Sequence, residues 1–140
     1  MPIQFVLLPL FVQVVLTLGL GIYLAFLRGG DIRSGVRPEN IALREPNWRP
    51  RAMQVSYAFS NQFELPVLFY VLTILSLMTR HADFLFVVLA WVFVLSRLAQ
   101  AYIHVTSNNI RLRGSFFGIG ALVLTIMWVV FIVRILLGLP

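Results

Sequence analysis

Residues 57–69, YAFSNQFELPVLF, place an amide and a carboxylate inside a strongly apolar segment. The carboxylate is Glu64, and the amide is Asn61, about one helical turn earlier. An ionisable group at membrane depth costs about 2.5–3.5 kcal/mol even on insertion-based scales, so such a group is normally paired and functional. The partner of Glu64 is therefore the first question that the sequence raises.

The composition is that of an integral membrane protein. Of the 140 residues, 60% are hydrophobic and 11% are charged, and the mean hydropathy is +0.92. This length accommodates about four crossings of roughly 20 residues each and leaves no room for a separate soluble domain. Cysteine is absent, which excludes disulfides, thiolate metal sites and a cysteine nucleophile.

The apolar runs predict an all-α bundle of four transmembrane helices that forms a single domain over residues 1–140. We place the crossings at about residues 3–27, 53–79, 84–106 and 115–139. The first run lacks the charged start and the cleavage site of a signal peptide, so we expect it to be retained. Within it, Gln13 and Thr17 share one helix face, which favours a polar contact with another helix.

The positive charge indicates how the chain is oriented in the membrane. All 11 basic residues are arginines, and the net charge is +6. Six of them lie in residues 28–52, a connection rich in proline and glycine in which residues 38–45 suit a short helix. The positive-inside rule places this connection in the cytoplasm and both termini on the other side. Topology and anionic lipid headgroups then account for the basic residues, and nucleic-acid binding is disfavoured.

Polar stripes on two neighbouring crossings suggest a shared site. On the second crossing, four residues at helical spacing are expected to face the bundle interior, namely Tyr57, Asn61, Glu64 and Leu68. A polar stripe at similar spacing continues from the third crossing to its cytoplasmic rim and comprises Arg97, Gln100, His104, Ser107 and Arg111. At about 1.5 Å per residue, Glu64 and Arg97 lie at similar depth, and we predict a buried ion pair between them. A role limited to holding the bundle in register remains an alternative.

Further donors gather near the cytoplasmic rim and suit a ligand that bears a carboxylate. The candidates are Arg28, Arg51, Tyr102, His104, Arg111 and Arg113. An arginine beside a thiol would also favour the thiolate. For the loop arginines a topological role competes with ligand binding, and for His104 a structural hydrogen bond competes with a role as base. No metal site is predicted, because His81 and His104 fall at opposite ends of the third crossing.

These motifs together resemble the MAPEG family, the membrane-associated proteins in eicosanoid and glutathione metabolism, and in particular its bacterial-type members. The resemblance rests on Asn61-x-x-Glu64 followed by Pro66, on Arg97-x-x-Gln100-x-Tyr102, on Arg111, and on Phe116-Phe117-Gly118. It covers the whole chain in length, number of crossings and loop layout. It implies a four-helix protomer assembled as a homotrimer, with sites between neighbouring subunits near the cytoplasmic face.

The resemblance also implies glutathione as a co-substrate. Asn61, Glu64 and Tyr102 would bind it with support from Arg97, and Arg111, or alternatively Arg113, would stabilise its thiolate. The chain departs from glutathione-using members at Tyr57, where an arginine is usual, and at Leu65, where some members have a tyrosine. Arg51 or Arg28 would have to replace the missing arginine.

Two functions from different classes follow. The leading expectation is a membrane-bound glutathione-dependent transferase or peroxidase that acts on lipophilic electrophiles dissolved in the membrane. The alternative is a non-catalytic MAPEG-fold membrane protein that binds a lipid or an anionic amphiphile, or that acts as an assembly partner. A channel or proton relay built on Glu64 and Arg97 is disfavoured, because a paired ion couple conducts nothing without further acidic groups.

Overall fold

The structure, a computed structural model, describes residues 2–42 and 47–140. Within these ranges the chain is helical and contains no β-strand. The α-helices are α1 (Ile3–Arg33), α2 (Pro50–Asn61), α3 (Leu65–Met78), α4 (Phe84–Val105) and α5 (Ile110–Leu136). A short 3₁₀ helix, Pro38–Asn40, lies in the connection between α1 and α2.

The helices form four segments that are long and apolar enough to cross a membrane. α1, α4 and α5 each provide one, and α2 with α3 provides the fourth, Pro50–Met78. In the most apolar window of each segment, between 22% and 50% of the residues are buried. Most of the apolar surface therefore faces outward, as expected where lipid or another subunit replaces water. The protein is a multi-pass integral membrane protein built as a four-helix bundle.

Several helix ends differ from those predicted. α1 continues to Arg33 instead of residue 27, and its last turn is fixed by Asp31, which is buried and accepts a hydrogen bond from the Arg49 backbone N–H at 3.1 Å. α5 begins at Ile110 instead of residue 115, because the Asn109 side chain caps it by accepting from two backbone N–H groups at 3.0 and 3.2 Å. Arg111 and Arg113 therefore lie on a helix and not in a loop.

The predicted short helix over residues 38–45 is reduced to one 3₁₀ turn with Pro38 at its first position. A turn follows at residues 41–42. Residues 43–46, which include Arg44 and Glu45, lie outside the described part of the chain.

The second crossing is interrupted between Asn61 and Leu65, where a continuous helix was expected. Pro66 has no backbone N–H and cannot continue the helical ladder, and Glu64 adopts a non-helical conformation with φ −98° and ψ −102°. The Glu64 N–H reaches the Asn61 carbonyl only at 3.4 Å. The Asn61 carbonyl is therefore available to another donor within the second crossing.

α4 is the central helix and packs against α5, α1 and α2. Its apolar face meets α3 through the rings of Phe93 and Phe69, whose centroids are 4.9 Å apart. Ala90 and Val94 on the same face are fully buried. α5 approaches α4 closely at Gly120, where an added Cβ would lie 2.9 Å from Ser96 Oγ.

This close approach predicts that Gly120→Ala disturbs the α4–α5 contact. Gly118→Ala is the matched control. Gly118 lies on the same helix as Gly120, and an added Cβ at Gly118 would contact no atom within 4 Å. Both changes gain similar helix propensity, so their difference isolates the clash. We expect Gly120→Ala to be about 1–3 kcal/mol less stable than Gly118→Ala in thermal unfolding of the solubilised protein. Equal stabilities would contradict the packing at Gly120.

One ion pair joins the ends of α4 and α5 away from the long connection. Arg134 Nη1 lies 2.9 Å from Asp83 Oδ2, and Asp83 Oδ1 also caps α4 by accepting from the Phe86 N–H at 3.0 Å. Arg134 is therefore paired within the protein and does not simply extend toward the membrane surface. We call this end of the bundle the terminal end, and the end with residues 34–42, 47–49 and 106–109 the loop end.

Candidate functional site

A cavity of about 470 Å³ opens near the loop end between α2, α4 and α5. This volume lies in the range of small-molecule sites, roughly 300–1,000 Å³. Its polar lining comprises Ser60, Asn61, Glu64, Gln100, His104 and Arg113. Its other lining residues are Tyr57, Ile110, Gly114 and Phe117. The fold thus brings together Asn61, Glu64, His104 and Arg113, four of the residues that the sequence had nominated.

The cavity presents two opposite charges. Glu64 supplies a carboxylate from the break in the second crossing, and Arg113 supplies a guanidinium from the first turns of α5. Arg113 is oriented by a hydrogen bond from Nη1 to Asn108 Oδ1 at 2.7 Å. Amide groups of Asn61 and Gln100 lie in the same lining. Such a set suits a ligand that carries both an anionic and a cationic group.

The predicted Glu64–Arg97 ion pair is wrong. Across residues 2–42 and 47–140 the one ion pair is that between Asp83 and Arg134. Arg97 has no exposed surface and lies behind the cavity wall. Its Nη2 donates to the backbone carbonyl of Asn61 at 3.0 Å, which is the carbonyl released by the break in the helix. Depth alone suggested the pair, but the break turns the Glu64 side chain outward.

Arg97 belongs to a buried network of side-chain amides that the sequence reading missed. Its Nη1 donates to Gln100 Oε1 at 2.7 Å, and its Nη2 lies 3.5 Å from Gln62 Oε1. Gln62 in turn accepts from Gln13 Nε2 at 2.9 Å and donates to the Ala58 carbonyl at 3.0 Å. The network therefore connects α1, α2 and α4. The side-chain amide of Gln62 within an apolar run was the feature of the sequence that could have indicated this network.

The interhelical role expected for Gln13 is confirmed by this contact with Gln62. Thr17 donates to the Gln13 carbonyl at 3.0 Å within its own helix, and its side chain also forms a hydrogen bond with Tyr70 on α3. The network is not fully satisfied, because Gln13 Oε1 and Arg97 Nε have no hydrogen-bond partner among the described residues.

The stripe on the second crossing does not face the bundle interior as predicted. Tyr57 is 56% exposed and Leu68 is 48% exposed, and Glu64 is also exposed. The interior of the bundle is occupied instead by Val55, Ala58 and Gln62 on the opposite side of α2. Tyr57, Asn61 and Glu64 form the outer wall of the cavity.

Tyr102 and Arg111 are not part of the cavity lining. Tyr102 is 68% exposed, because it lies two residues from both Gln100 and His104 and so points to the other side of α4. Arg111 lies two residues before Arg113 on α5 and is exposed on another side of that helix. Both residues lie on the outer surface of the protein.

Arg28 and Arg51 have protein partners away from the cavity. Arg28 stacks on the Trp48 ring at 5.0 Å and donates to Ser56 Oγ at 3.1 Å. Arg51 donates to the Tyr23 hydroxyl at 3.1 Å and to the Val105 carbonyl. These contacts hold the start of α2 against the loop-end residues of α1 and α4. In the protomer neither guanidinium reaches the residues that line the cavity.

The described residues contain no group of three or more His, Asp or Glu side chains that could hold a metal ion. His81 lies at the terminal end, where its Nε2 is 2.9 Å from the Leu139 carbonyl oxygen, and His104 lines the cavity near the loop end.

The chain matches the model of the MAPEG family over residues 6–133. This chain belongs to the MAPEG family. The matched region extends from the first turn of α1 into the last turn of α5, so it covers most or all of each membrane crossing and every residue that lines the cavity. No individually curated protein and no solved structure gives a significant match. MAPEG membership agrees with the four-helix bundle and with the membrane location derived from hydropathy.

Proposed function

We propose that this MAPEG protein is a membrane-bound glutathione-dependent transferase or peroxidase that acts on lipophilic electrophiles. The observation that carries the proposal is the cavity in which Glu64, Arg113 and the amides of Asn61 and Gln100 converge. The outer surface of the protein is largely apolar and is expected to lie in the lipid in which such electrophiles dissolve.

The charges of the cavity complement those of glutathione. Glutathione carries an ammonium group and two carboxylates, which suit Glu64 and Arg113 respectively, and its peptide groups suit the amides of Asn61 and Gln100. His104 lies in the same lining and offers a further hydrogen bond. These residues would hold and orient the tripeptide, and holding reactants in place is itself a large part of catalysis.

The bound thiol would supply the nucleophile, and the protein would stabilise its anionic form. Arg111 is the proposed stabilising cation, and Arg113 is the alternative. Their positions on α5 suggest a division of roles, because Arg113 lines the cavity whereas Arg111 is exposed on another side of the helix. We therefore propose that Arg113 binds a carboxylate and that Arg111 acts on the thiol where it emerges toward the outer surface.

A comparison of Arg111→Ala with Arg113→Ala tests this division. We expect Arg111→Ala to reduce thiolate absorbance and conjugation of chlorodinitrobenzene at least about tenfold, with a smaller effect on glutathione affinity. Arg113→Ala should chiefly weaken affinity. Arg33→Ala, an exposed arginine at the end of α1, is the control. Unchanged activity in Arg111→Ala would rule out Arg111 as the stabilising cation.

The second candidate function is a non-catalytic MAPEG-fold protein that binds a lipid or another anionic amphiphile, or that serves as an assembly partner. Tyr57 favours it, because this exposed tyrosine stands on the cavity wall where glutathione-using members resembling this chain carry an arginine. Calorimetric titration of the solubilised protein distinguishes the two functions. Absence of heat and of a thermal shift at millimolar glutathione would favour the binding protein.

We further propose a homotrimer whose termini lie on the non-cytoplasmic side of the membrane. The exposed Tyr57, Tyr102 and Arg111 support an assembly in which a neighbouring subunit covers this surface. The six arginines of residues 28–52 support the orientation. The mass of the solubilised particle tests the trimer, and a reporter enzyme fused to the C-terminus tests the orientation.

A further inference from the structure

The most unusual feature of the interior is a fully buried arginine without an acidic partner. Arg97 lies in the membrane-spanning part of α4, and none of its contacts within residues 2–42 and 47–140 is an ion pair. Glu64 lies three residues after Asn61, whose backbone carbonyl accepts from Arg97 Nη2 at 3.0 Å. The Glu64 side chain is exposed, which weakens its attraction for the buried guanidinium, so neutral acceptors can compete with the carboxylate for Arg97.

The Arg97 guanidinium donates its hydrogen bonds to neutral acceptors instead. These are the Asn61 carbonyl at 3.0 Å, Gln100 Oε1 at 2.7 Å and Gln62 Oε1 at 3.5 Å. Hydrogen bonds between a charged donor and neutral acceptors are stronger than neutral ones, and three of them offset much of the attraction of a carboxylate.

Gln62 is the residue on which this arrangement depends. Its side chain is buried, and its Oε1 accepts from Gln13 on α1 while it faces Arg97 on α4. Its Nε2 is fixed by the Ala58 carbonyl at 3.0 Å, which determines which way the amide points. Neither Gln62 nor Gln13 lines the cavity.

We infer that Gln62 and Gln13 are positioning residues that hold Arg97 on the Asn61 carbonyl and so keep the Glu64 carboxylate unpaired within the cavity. The arrangement has two consequences. The cavity retains a negative charge that can bind a cationic group of a ligand. The hydrogen bond from Arg97 to the Asn61 carbonyl also stabilises the backbone break that carries Asn61 and Glu64. The identity of the ligand rests on the proposed function, but the charge of the cavity does not.

The chain contains no cysteine, so a single introduced thiol can report the charge of the cavity. Ser60→Cys places it on the cavity lining at an exposed position. The experiment measures how fast this thiol reacts with a cationic and with an anionic methanethiosulfonate of similar size. In the otherwise unchanged protein the unpaired Glu64 raises the ratio of cationic to anionic rates above that of Glu64→Gln, whatever the constant contribution of Arg113. In Gln62→Met, Arg97 turns to Glu64, and the ratio of cationic to anionic rates falls about threefold or more.

Three further variants make the result specific. Glu64→Gln sets the ratio expected when the carboxylate charge is absent, and Gln62→Met should cause no additional fall in that background. Gln13→Met should lower the ratio in the same direction by a smaller factor, and it carries the test if Gln62→Met does not fold. Gln4→Met, an exposed glutamine on the same helix as Gln13, should leave the ratio unchanged.

The inference is overturned if Gln62→Met and Gln13→Met both retain the ratio of the parent, or if Gln62→Met lowers it equally with and without the Glu64 carboxylate. A failure of the proposed function is a different result, namely absence of glutathione binding by the unmodified protein with the ratios behaving as described.

Discussion

Replacement of Arg97 with methionine is expected to destabilise the protein by about 2–4 kcal/mol. Methionine fills a similar space but leaves Gln100 Oε1 without a donor in the interior, and it removes one donor each from the Asn61 carbonyl and Gln62 Oε1. A buried polar group that loses its partner costs about 1–3 kcal/mol. The variant no longer buries a charge, which stabilises it. The total loss of stability is therefore smaller than the sum of three separate losses.

Thermal unfolding of the detergent-solubilised protein measures this effect. Arg33→Met is the matched control, since Arg33 is exposed in the last turn of α1. If Arg97→Met unfolds at the temperature of the control, the amide network around Arg97 contributes nothing to stability, and its bracing of the break in the second crossing is refuted.

The second large effect is expected for ligand binding by Glu64→Gln. This change preserves the shape of the side chain and removes its charge, so glutathione should bind about 10- to 100-fold more weakly, as expected for loss of a hydrogen bond between charged groups. Calorimetric titration measures the affinity. Glu39→Gln, at an exposed acid in the 3₁₀ helix of the long connection, should bind as the unmodified protein does.

A glutathione analogue that lacks the amino group sharpens the assignment. If Glu64 receives the ammonium group, the unmodified protein and Glu64→Gln should bind this analogue with equal affinity. A persisting difference between the two proteins would show that Glu64 acts on another part of the ligand.

The fold class followed from hydropathy, because apolar runs of about 20 residues have few alternatives to membrane crossings. The ends of the helices were harder to predict. The Asn109 cap adds five residues to the start of α5, and buried Asp31 extends α1 beyond Gly29 and Gly30. Such caps depend on one side chain and leave little trace in a hydropathy average.

The site was predicted in composition but not in geometry. Asn61, Glu64, His104 and Arg113 do line one cavity, since helical spacing and shared depth constrain them. The pairing of Glu64 with Arg97 failed because depth says nothing about the direction of a side chain next to a broken helix. Tyr102 was nominated although its spacing from Gln100 and His104 already placed it on another face of α4.

The amide network also bears on how the protein is made. An arginine near the middle of a membrane helix costs about 2.5–3.5 kcal/mol on the insertion scale. Gln13 and Gln62 precede Arg97 in the chain, on the first and second crossings. Because synthesis proceeds from the N-terminus, two of the three neutral acceptors of this charge, the Asn61 carbonyl and Gln62 Oε1, are made before the charge itself.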